Sequence, residues 1–349
     1  MVEYLSGNRI QGSSTLTTTP PITSWKELDR VTLTSAGDTL DTGTFTAKDN
    51  IMILENKIPT GSCRSKYQFN GDDNDNYSQR YTDNGGSDGT FTADPVIYAY
   101  HSGGSAKSFS VHSIINNSSQ EKLLIGNIVE NGGDGNNSPN RQEIVGKWAN
   151  TSAQINRVKL FNDGSGSFDT GSELIILGCD NDEANDGSQF WEHLKTVDLA
   201  SSGDDMDTGT ITAKKYLLLE HYCVTTGGEA YVSYSFNNDS TTSDYASRRS
   251  NNFASDDDYP NSHDYGAYLG YGGGTTDKWG FDYIVNNSST EKLGLGWMNI
   301  TGAADAIGDT NEHVFKWKTT GSQITRINAH NRSSGSFNTG SYLKVWGAN

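Results

Sequence analysis

Ile115-Asn116-Asn117-Ser118-Ser119-Gln120-Glu121-Lys122-Leu123 reads as two apolar runs joined by a polar turn, and the chain contains it twice. The second version is Val285-Asn286-Asn287-Ser288-Ser289-Thr290-Glu291-Lys292-Leu293. Asn tolerates a positive φ, and Asn and Ser side chains bond their own backbone, so the stretch suits a hairpin connection. Working outward, Trp25 opens a segment with Gly37-Asp38, Asp41-Thr42-Gly43-Thr44 and Thr46-Ala47-Lys48. Trp191 opens its counterpart with Gly203-Asp204, Asp207-Thr208-Gly209-Thr210 and Thr212-Ala213-Lys214. Towards the C-terminal side, Lys147-Trp148, Gln154-Ile155 and Gly166-Ser167-Phe168 recur as Lys316-Trp317, Gln323-Ile324 and Gly335-Ser336-Phe337. The order is kept throughout at a spacing of 166 to 170 residues, which marks an internal duplication.

Within each copy, short apolar runs alternate with Gly, Asn, Asp and Ser. In the first copy the strand candidates are 30–34, 50–58, 65–70, 96–100, 108–115, 122–129, 144–148, 155–161 and 173–177. No amphipathic helix of useful length is visible. The pattern predicts an all-β chain of two tandem jelly-roll-like antiparallel β-sandwich domains. Repeat 1 spans 25–178 and repeat 2 spans 191–349, joined by a polar linker at 179–190. Residues 1–24 fall outside the repeat, lack apolar periodicity and read as an extended arm that could lie against another chain.

The chain has 349 residues, 43 acidic and 26 basic side chains and a formal charge of −17. That charge repels phosphate, so neither nucleic acid nor an anionic lipid surface is an expected partner. The longest apolar runs, such as Leu174-Ile175-Ile176-Leu177, fall far short of the ~20 residues of a membrane helix, so no membrane insertion is expected. Met1–Ile10 lacks a basic segment followed by an apolar one, which points to synthesis in a cytoplasm. Cys63, Cys179 and Cys223 have no metal-site spacing and read as free thiols.

The familiar catalytic signatures are absent, and the seven histidines lack the spacing of ligands on one element. Recurrent acids such as Asp38/Asp204, Asp41/Asp207 and Glu121/Glu291 sit beside turns, where capping or ion pairing explains them, and no pair stands out for glycoside hydrolysis. A non-enzymatic protein is the expectation. Asp72-Asp73-Asn74-Asp75-Asn76, Asp180-Asn181-Asp182-Glu183 and Asp256-Asp257-Asp258 carry the oxygen ligands calcium prefers, although solvated acidic loops are the plainer account; no other cofactor is indicated. Trp25/Trp191, Trp148/Trp317 and Phe168/Phe337 recur and read as core. Tyr259, Tyr265, Tyr268, Tyr271 and Trp279 crowd the second copy, interleaved with Gly, and form the candidate contact surface.

The motif series resembles that of tandem-repeat virion structural proteins of marine viruses and tailed phages. The residues that carry the resemblance are the openings Trp25-Lys26-Glu27-Leu28 and Trp191-Glu192-His193-Leu194, the two turns quoted above, Gly146-Lys147-Trp148-Ala149-Asn150-Thr151-Ser152, and the closing Gly171-Ser172-Glu173-Leu174-Ile175-Ile176-Leu177-Gly178. The resemblance implies a capsid-decorating or tail- or fibre-associated component of the virion, made in the host cytoplasm. Its partners would be other virion proteins and copies of itself, and host-surface glycan where it serves attachment. A carbohydrate-binding, lectin-like module is the alternative from another class.

Overall fold

A computed structural model describes residues 24–99, 104–135, 137–182, 187–261, 266–272, 275–301 and 308–349. Among them every regular element is a β-strand, apart from one 3-10 turn at Thr242–Asp244. The predicted arm lies outside the described residues except for Ser24. The chain folds as two compact units. The first holds the described residues up to Asp83 with Ser87–Ile128 and Gln142–Trp191; the second holds Asn84–Gly86, Val129–Arg141 and Glu192–Asn349.

The large antiparallel sheet of the first repeat has eight strands. In spatial order these are β1 (Lys26–Thr32), β12 (Glu173–Cys179), β3 (Asn50–Lys57), β8 (Ser108–Ile115), β9 (Lys122–Glu130), β10 (Asn140–Trp148), β5 (Tyr77–Asp83) and β6 (Gly89–Asp94). A smaller sheet runs β2 (Thr39–Asp41), β11 (Val158–Asn162), β4 (Ser65–Phe69) and β7 (Ile97–Tyr98). The second repeat has the same strand order. Its large sheet runs β13 (Glu192–Asp198), β26 (Tyr342–Ala348), β15 (Tyr216–Cys223), β21 (Lys278–Val285), β22 (Lys292–Ile300), β23 (Asp309–Trp317), β18 (Tyr245–Asn251) and β19 (Asp257–Tyr259). Its smaller sheet runs β14 (Asp205–Asp207), β24 (Ile327–His330), β17 (Ala230–Phe236) and β20 (Ala267–Gly272), with a separate pair β16 (Thr225–Thr226) and β25 (Ser336–Phe337).

In each repeat the core lies between the large and the small sheet, a β-sandwich-like arrangement. Ile51, Ile53, Ile114, Leu124, Leu174 and Ile176 meet Leu40, Tyr67, Phe69, Val158 and Leu160 in the first. Leu217, Leu219, Ile284, Phe315, Leu343 and Val345 meet Met206, Val232, Tyr234, Phe236 and Ile327 in the second. Period-two alternation sends the intervening residues to the outer face of the large sheet, so that face is the one left to do something else.

The Asn116-Asn117-Ser118-Ser119 segment does more than turn the chain. Asn116 is fully buried: its Nδ2 donates to the carbonyls of Lys48 (2.8 Å) and Ile155 (3.1 Å), and its Oδ1 accepts from Ile155 N at 2.6 Å. Asn286 repeats this with Lys214 (2.9 Å), Ile324 O (3.1 Å) and Ile324 N (2.6 Å). Asn117 and Asn287 make the turns themselves, each accepting from the amide and hydroxyl of the Ser two residues on.

The sequence reading missed β2, β5 and β6. Tyr-Ser-Gln-Arg-Tyr-Thr-Asp at 77–83 and Gly-Thr-Phe-Thr-Ala-Asp at 89–94 carry too few apolar residues to register, because they are the last two strands of the sheet, with β6 at its edge, and bury little.

Candidate functional site

The outer face of the second large sheet carries a row of aromatic rings. Tyr222 on β15 is the direct cross-strand neighbour of Tyr342 on β26 and of Trp279 on β21. One step along the strands, Glu220 stands between Lys344 and Phe281, and Phe281 faces Trp297. Alternation explains the grouping, since Glu220 and Tyr222 share one face of β15 while Leu219, His221 and Cys223 point into the core. Tyr222 and Tyr342 have ring centroids 5.8 Å apart, Trp279 and Phe281 5.9 Å, and Phe281 and Trp297 5.1 Å. Trp279 is 41% exposed, the most open member of the group.

Glu220 organises this surface. Its Oε1 accepts from Trp279 Nε1 at 3.1 Å and from the Tyr342 hydroxyl at 2.9 Å, and its Oε2 pairs with Lys344 Nζ at 3.2 Å. The Lys344 ammonium lies 4.1 Å from the Tyr342 ring centroid, a cation–π contact. Asp277 accepts from the Tyr222 hydroxyl at 3.1 Å and from the Thr225 amide at 3.2 Å. Burial, then the carboxylate of Glu220, raises the Tyr342 phenol well above its ordinary pKa; burial and Asp277 raise that of Tyr222. Both phenols therefore stay neutral donors at any ordinary pH. The result is a shallow surface of rings, two carboxylates and one ammonium.

The equivalent positions of the first repeat do not form such a surface. Phe109, Asn56 and Glu173 stand where Trp279, Tyr222 and Tyr342 stand, and all three are buried. Of the predicted contact residues, Trp279 belongs to the row. Tyr259 and Tyr268 pack together elsewhere, on β19 and β20, at 5.2 Å between ring centroids; Tyr268 is only 5% exposed, beneath the Arg249 guanidinium 4.9 Å away. Tyr271 has its backbone in β20 opposite Tyr231, and Tyr265 lies outside the described residues. Sequence reasoning passed over Tyr222, Tyr342 and Glu220 because Tyr342 lies far along the chain from the other two. Comparing Asn50-Ile-Met-Ile-Leu-Glu-Asn-Lys57 with Tyr216-Leu-Leu-Leu-Glu-His-Tyr-Cys223 position by position would have shown the change.

No family model matches the chain, and no curated protein matches it. Among solved structures, the outer membrane protein OprG from Pseudomonas aeruginosa aligns at 8% identity over 86% of this chain and 98% of that one, with a TM-score of 0.09. A likeness that slight carries no argument about fold or function.

A second set of chemical groups is sealed inside each sandwich. In the first, the Tyr67 hydroxyl donates to Glu55 at 2.9 Å and lies 3.3 Å from Nδ1 of His112. In the second, the Tyr234 hydroxyl donates to Asp282 at 2.8 Å and lies 2.6 Å from Nδ1 of His221, while His313 Nε2 lies 2.6 Å from the other Asp282 oxygen. Glu55 and His221 hold equivalent positions on β3 and β15, and His112 and Asp282 on β8 and β21. The acid and the imidazole have exchanged strands around a common tyrosine. Burial pushes His112 down to about 3 and His221, despite Asp282, down to about 4, so both rings are neutral at pH 7. Glu55, Tyr67, His112, His221, Tyr234, Asp282 and His313 are all buried, which makes these clusters internal ties between strands.

The acidic loops are tied to the protein's own donors. Asp72 accepts from Asn74, Asn76 and Trp148 Nε1, Asp180 pairs with Lys48, and Asp257 and Asp258 pair with Arg249 and Arg248. Among the described residues no group of three or more His, Cys, Asp or Glu is placed to hold a metal ion. Cys63, Cys179 and Cys223 are buried.

Proposed function

We propose that this chain is a non-enzymatic binding protein that recognises glycan through the outer face of its second large sheet. The carrying observation is the row Tyr342–Tyr222–Trp279, directly paired across three strands and bordered by Glu220, Asp277 and Lys344. Aromatic faces stack on the C–H faces of pyranose rings, and fixed carboxylates and ammonium groups bond the hydroxyls at the ring edge. Glu220 holds Trp279 and Tyr342 before any ligand arrives, which lowers the ordering cost of binding.

The wider setting we propose is a virion: a capsid-decorating, tail or fibre component built from two jelly-roll-like sandwiches, partnered by other virion proteins and by copies of itself. This reading rests on the motif resemblance, and it is favoured by the exposed apolar side chains Ile115, Leu123, Ile125 and Val145 on the first repeat. In that setting the glycan face of the second repeat would serve contact with a host surface.

The test is titration of the full chain with a panel of soluble neutral and acidic polysaccharides, followed by tryptophan fluorescence and calorimetry. We expect at least one polysaccharide to bind wild type, and Trp279→Ala and Tyr222→Ala to abolish that binding while leaving thermal unfolding of the fold in place. A panel with no binder, or a Trp279→Ala protein that binds as wild type does, overturns the proposal.

A further inference from the structure

Taking the Trp279 face as a glycan site, a proposal on which this one rests, we infer that its ligand is a neutral, extended 1,4-β-linked polysaccharide whose chain crosses the strands of the second large sheet. The aromatic row does not end at Trp279. Register partners continue it in both directions: Asp198 on β13, Tyr342 on β26, Tyr222 on β15, Trp279 on β21, Asn299 on β22 and Thr310 on β23. All six side chains are exposed or half-buried. The row therefore runs perpendicular to the strands, with rings on one half and an amide and a hydroxyl on the other.

Its spacing suits one kind of chain. Each step of the row is one strand separation, ~4.8 Å, which is close to the length of a single pyranose in an extended 1,4-β-linked polymer. Tyr342 and Tyr222 have ring centroids 5.8 Å apart. From Tyr342 to Thr310 there are four steps, about 19 Å, or room for about four sugar rings laid end to end. An α-linked chain curls and leaves a flat row after a few rings, so only a straight polymer reaches both the tyrosines and Asn299.

The face is also bordered along the direction of the row. Two residues along each strand lies a second row that includes Phe281 and Trp297, both half-buried. Two residues further, Trp346, Leu218, Tyr283, Leu295 and Val314 form a third row, 9% exposed or less although it belongs to the same outer face. At the β23 end the segment 129–141 closes over that side: Lys316 Nζ donates to the carbonyls of Asn131 and Gly133, both at 2.8 Å, and Arg141 pairs with Glu312 at 2.7 Å. The first row is thus an open ledge in front of a covered border, and a long ligand lies along it rather than across it.

Charge selects a neutral polymer. Asp198, Glu220 and Asp277 stand along the row, and the Lys344 ammonium beside it is already paired with Glu220 at 3.2 Å. With a formal charge of −17 on the whole chain, a uronic or sulfated glycan meets repulsion both at the ledge and on approach. The first repeat offers no second copy of this ledge: Glu173, Asn56, Phe109 and Val129 stand where Tyr342, Tyr222, Trp279 and Asn299 stand, and all four are buried.

The test is calorimetry of the full chain against length series of neutral 1,4-β-linked gluco-, xylo- and mannooligosaccharides, with maltooligosaccharides as the curling series and oligogalacturonates as the acidic one. Affinity for at least one 1,4-β-linked series should rise with each ring up to about four and then level off. Maltooligosaccharides of equal length should bind about tenfold more weakly, having lost a ring contact, and oligogalacturonates should not bind at low salt. Asn299→Ala, a change at an exposed position, should weaken the longest oligomer about fivefold, the effect of one neutral hydrogen bond, and leave the shortest binder unaffected. Thermal unfolding certifies that the variant is folded. Affinity that does not grow with length, or an Asn299→Ala protein that treats long and short oligomers alike, overturns the crossing direction and the inference with it. Binding that Trp279→Ala abolishes, yet that is as tight for α-linked or acidic oligomers, overturns the inference and leaves the glycan site standing. A chain that binds no glycan at all overturns both, so the two failures are distinguishable.

Discussion

The indole Nε1–H of Trp317 donates to Asp239 at 2.8 Å, and Trp148 donates to Asp72 at the same distance in the first repeat. Both indoles are buried, and each packs against the ring of a phenylalanine on the small sheet, Phe236 or Phe69. Burial disfavours ionisation of Asp72 and Asp239, yet the hydrogen bonds they accept, including those from the tryptophans, outweigh it and hold both carboxyls below their usual range. The loop acid is thus the partner that allows a tryptophan to close the end of the sandwich.

Replacing either indole removes a large core side chain. Trp317→Ala and Trp148→Ala should each lose about 3–5 kcal/mol of stability. Asp239→Ala should lose less, about 1–3 kcal/mol, because it strands the indole N–H without emptying the core. Urea unfolding monitored by tryptophan fluorescence distinguishes the two. Equal losses for Asp239→Ala and Trp317→Ala would mean that the loop, and not the ring, carries the packing.

Acid should weaken the fold through the buried imidazoles. The folded pKa of His221 is about 4 and that of His112 about 3, both below the ordinary value, so between those values and about 6.5 the unfolded chain binds more protons than the folded one. Their contribution is therefore complete above about pH 6.5 and is lost as pH falls towards 4 for His221 and 3 for His112, at roughly 3 kcal/mol for His221. The lowered carboxyls of Asp41, Asp72, Asp207 and Asp239 act in the same direction at lower pH. Glu55, raised by burial, opposes the trend in the first repeat. Urea midpoints measured from pH 7 to pH 4 should fall steadily, and His221→Gln, less stable throughout, should show a shallower slope. An unchanged slope in that variant would remove His221 from the account.

Room for the buried clusters comes from glycine. A Cβ on Gly296 would lie 2.2 Å from Asp282 Oδ1, and one on the equivalent Gly126 would lie 2.0 Å from the His112 ring. Gly296→Ala should therefore destabilise by about 1–3 kcal/mol through overpacking. Gly203→Ala, whose Cβ would meet nothing within 4 Å, serves as the comparison and should be close to neutral. Similar melting temperatures for the two variants would show that the cluster can shift to make space.

Glu220 is expected to matter for binding out of proportion to its own contact with ligand. Glu220→Ala releases Trp279, Tyr342 and Lys344 together. Affinity for a bound polysaccharide should fall on the order of tenfold, about 1.4 kcal/mol, with the rings still present. Calorimetry at constant salt measures this, and unchanged affinity would assign the ordering of Trp279 to its ring neighbours instead.

The sequence by itself determined the duplication, the all-β class, the turns at Asn117 and Asn287, and the burial of Trp148 and Trp317, because local turn chemistry and period-two alternation are written in neighbouring residues. It was silent on the last two strands of the first large sheet, 77–83 and 89–94, which bury too little to show the pattern. Alternation says that a strand has two faces and leaves open what packs on the outer one. The tertiary structure decided that Lys316 and Glu291 are sealed while Lys147 and Glu121 stand open, although the two pairs are identical in sequence. It also brought Glu220, Trp279 and Tyr342 into one hydrogen-bonded group across 122 residues of chain, because cross-strand pairing sets neighbours by register and not by distance along the sequence.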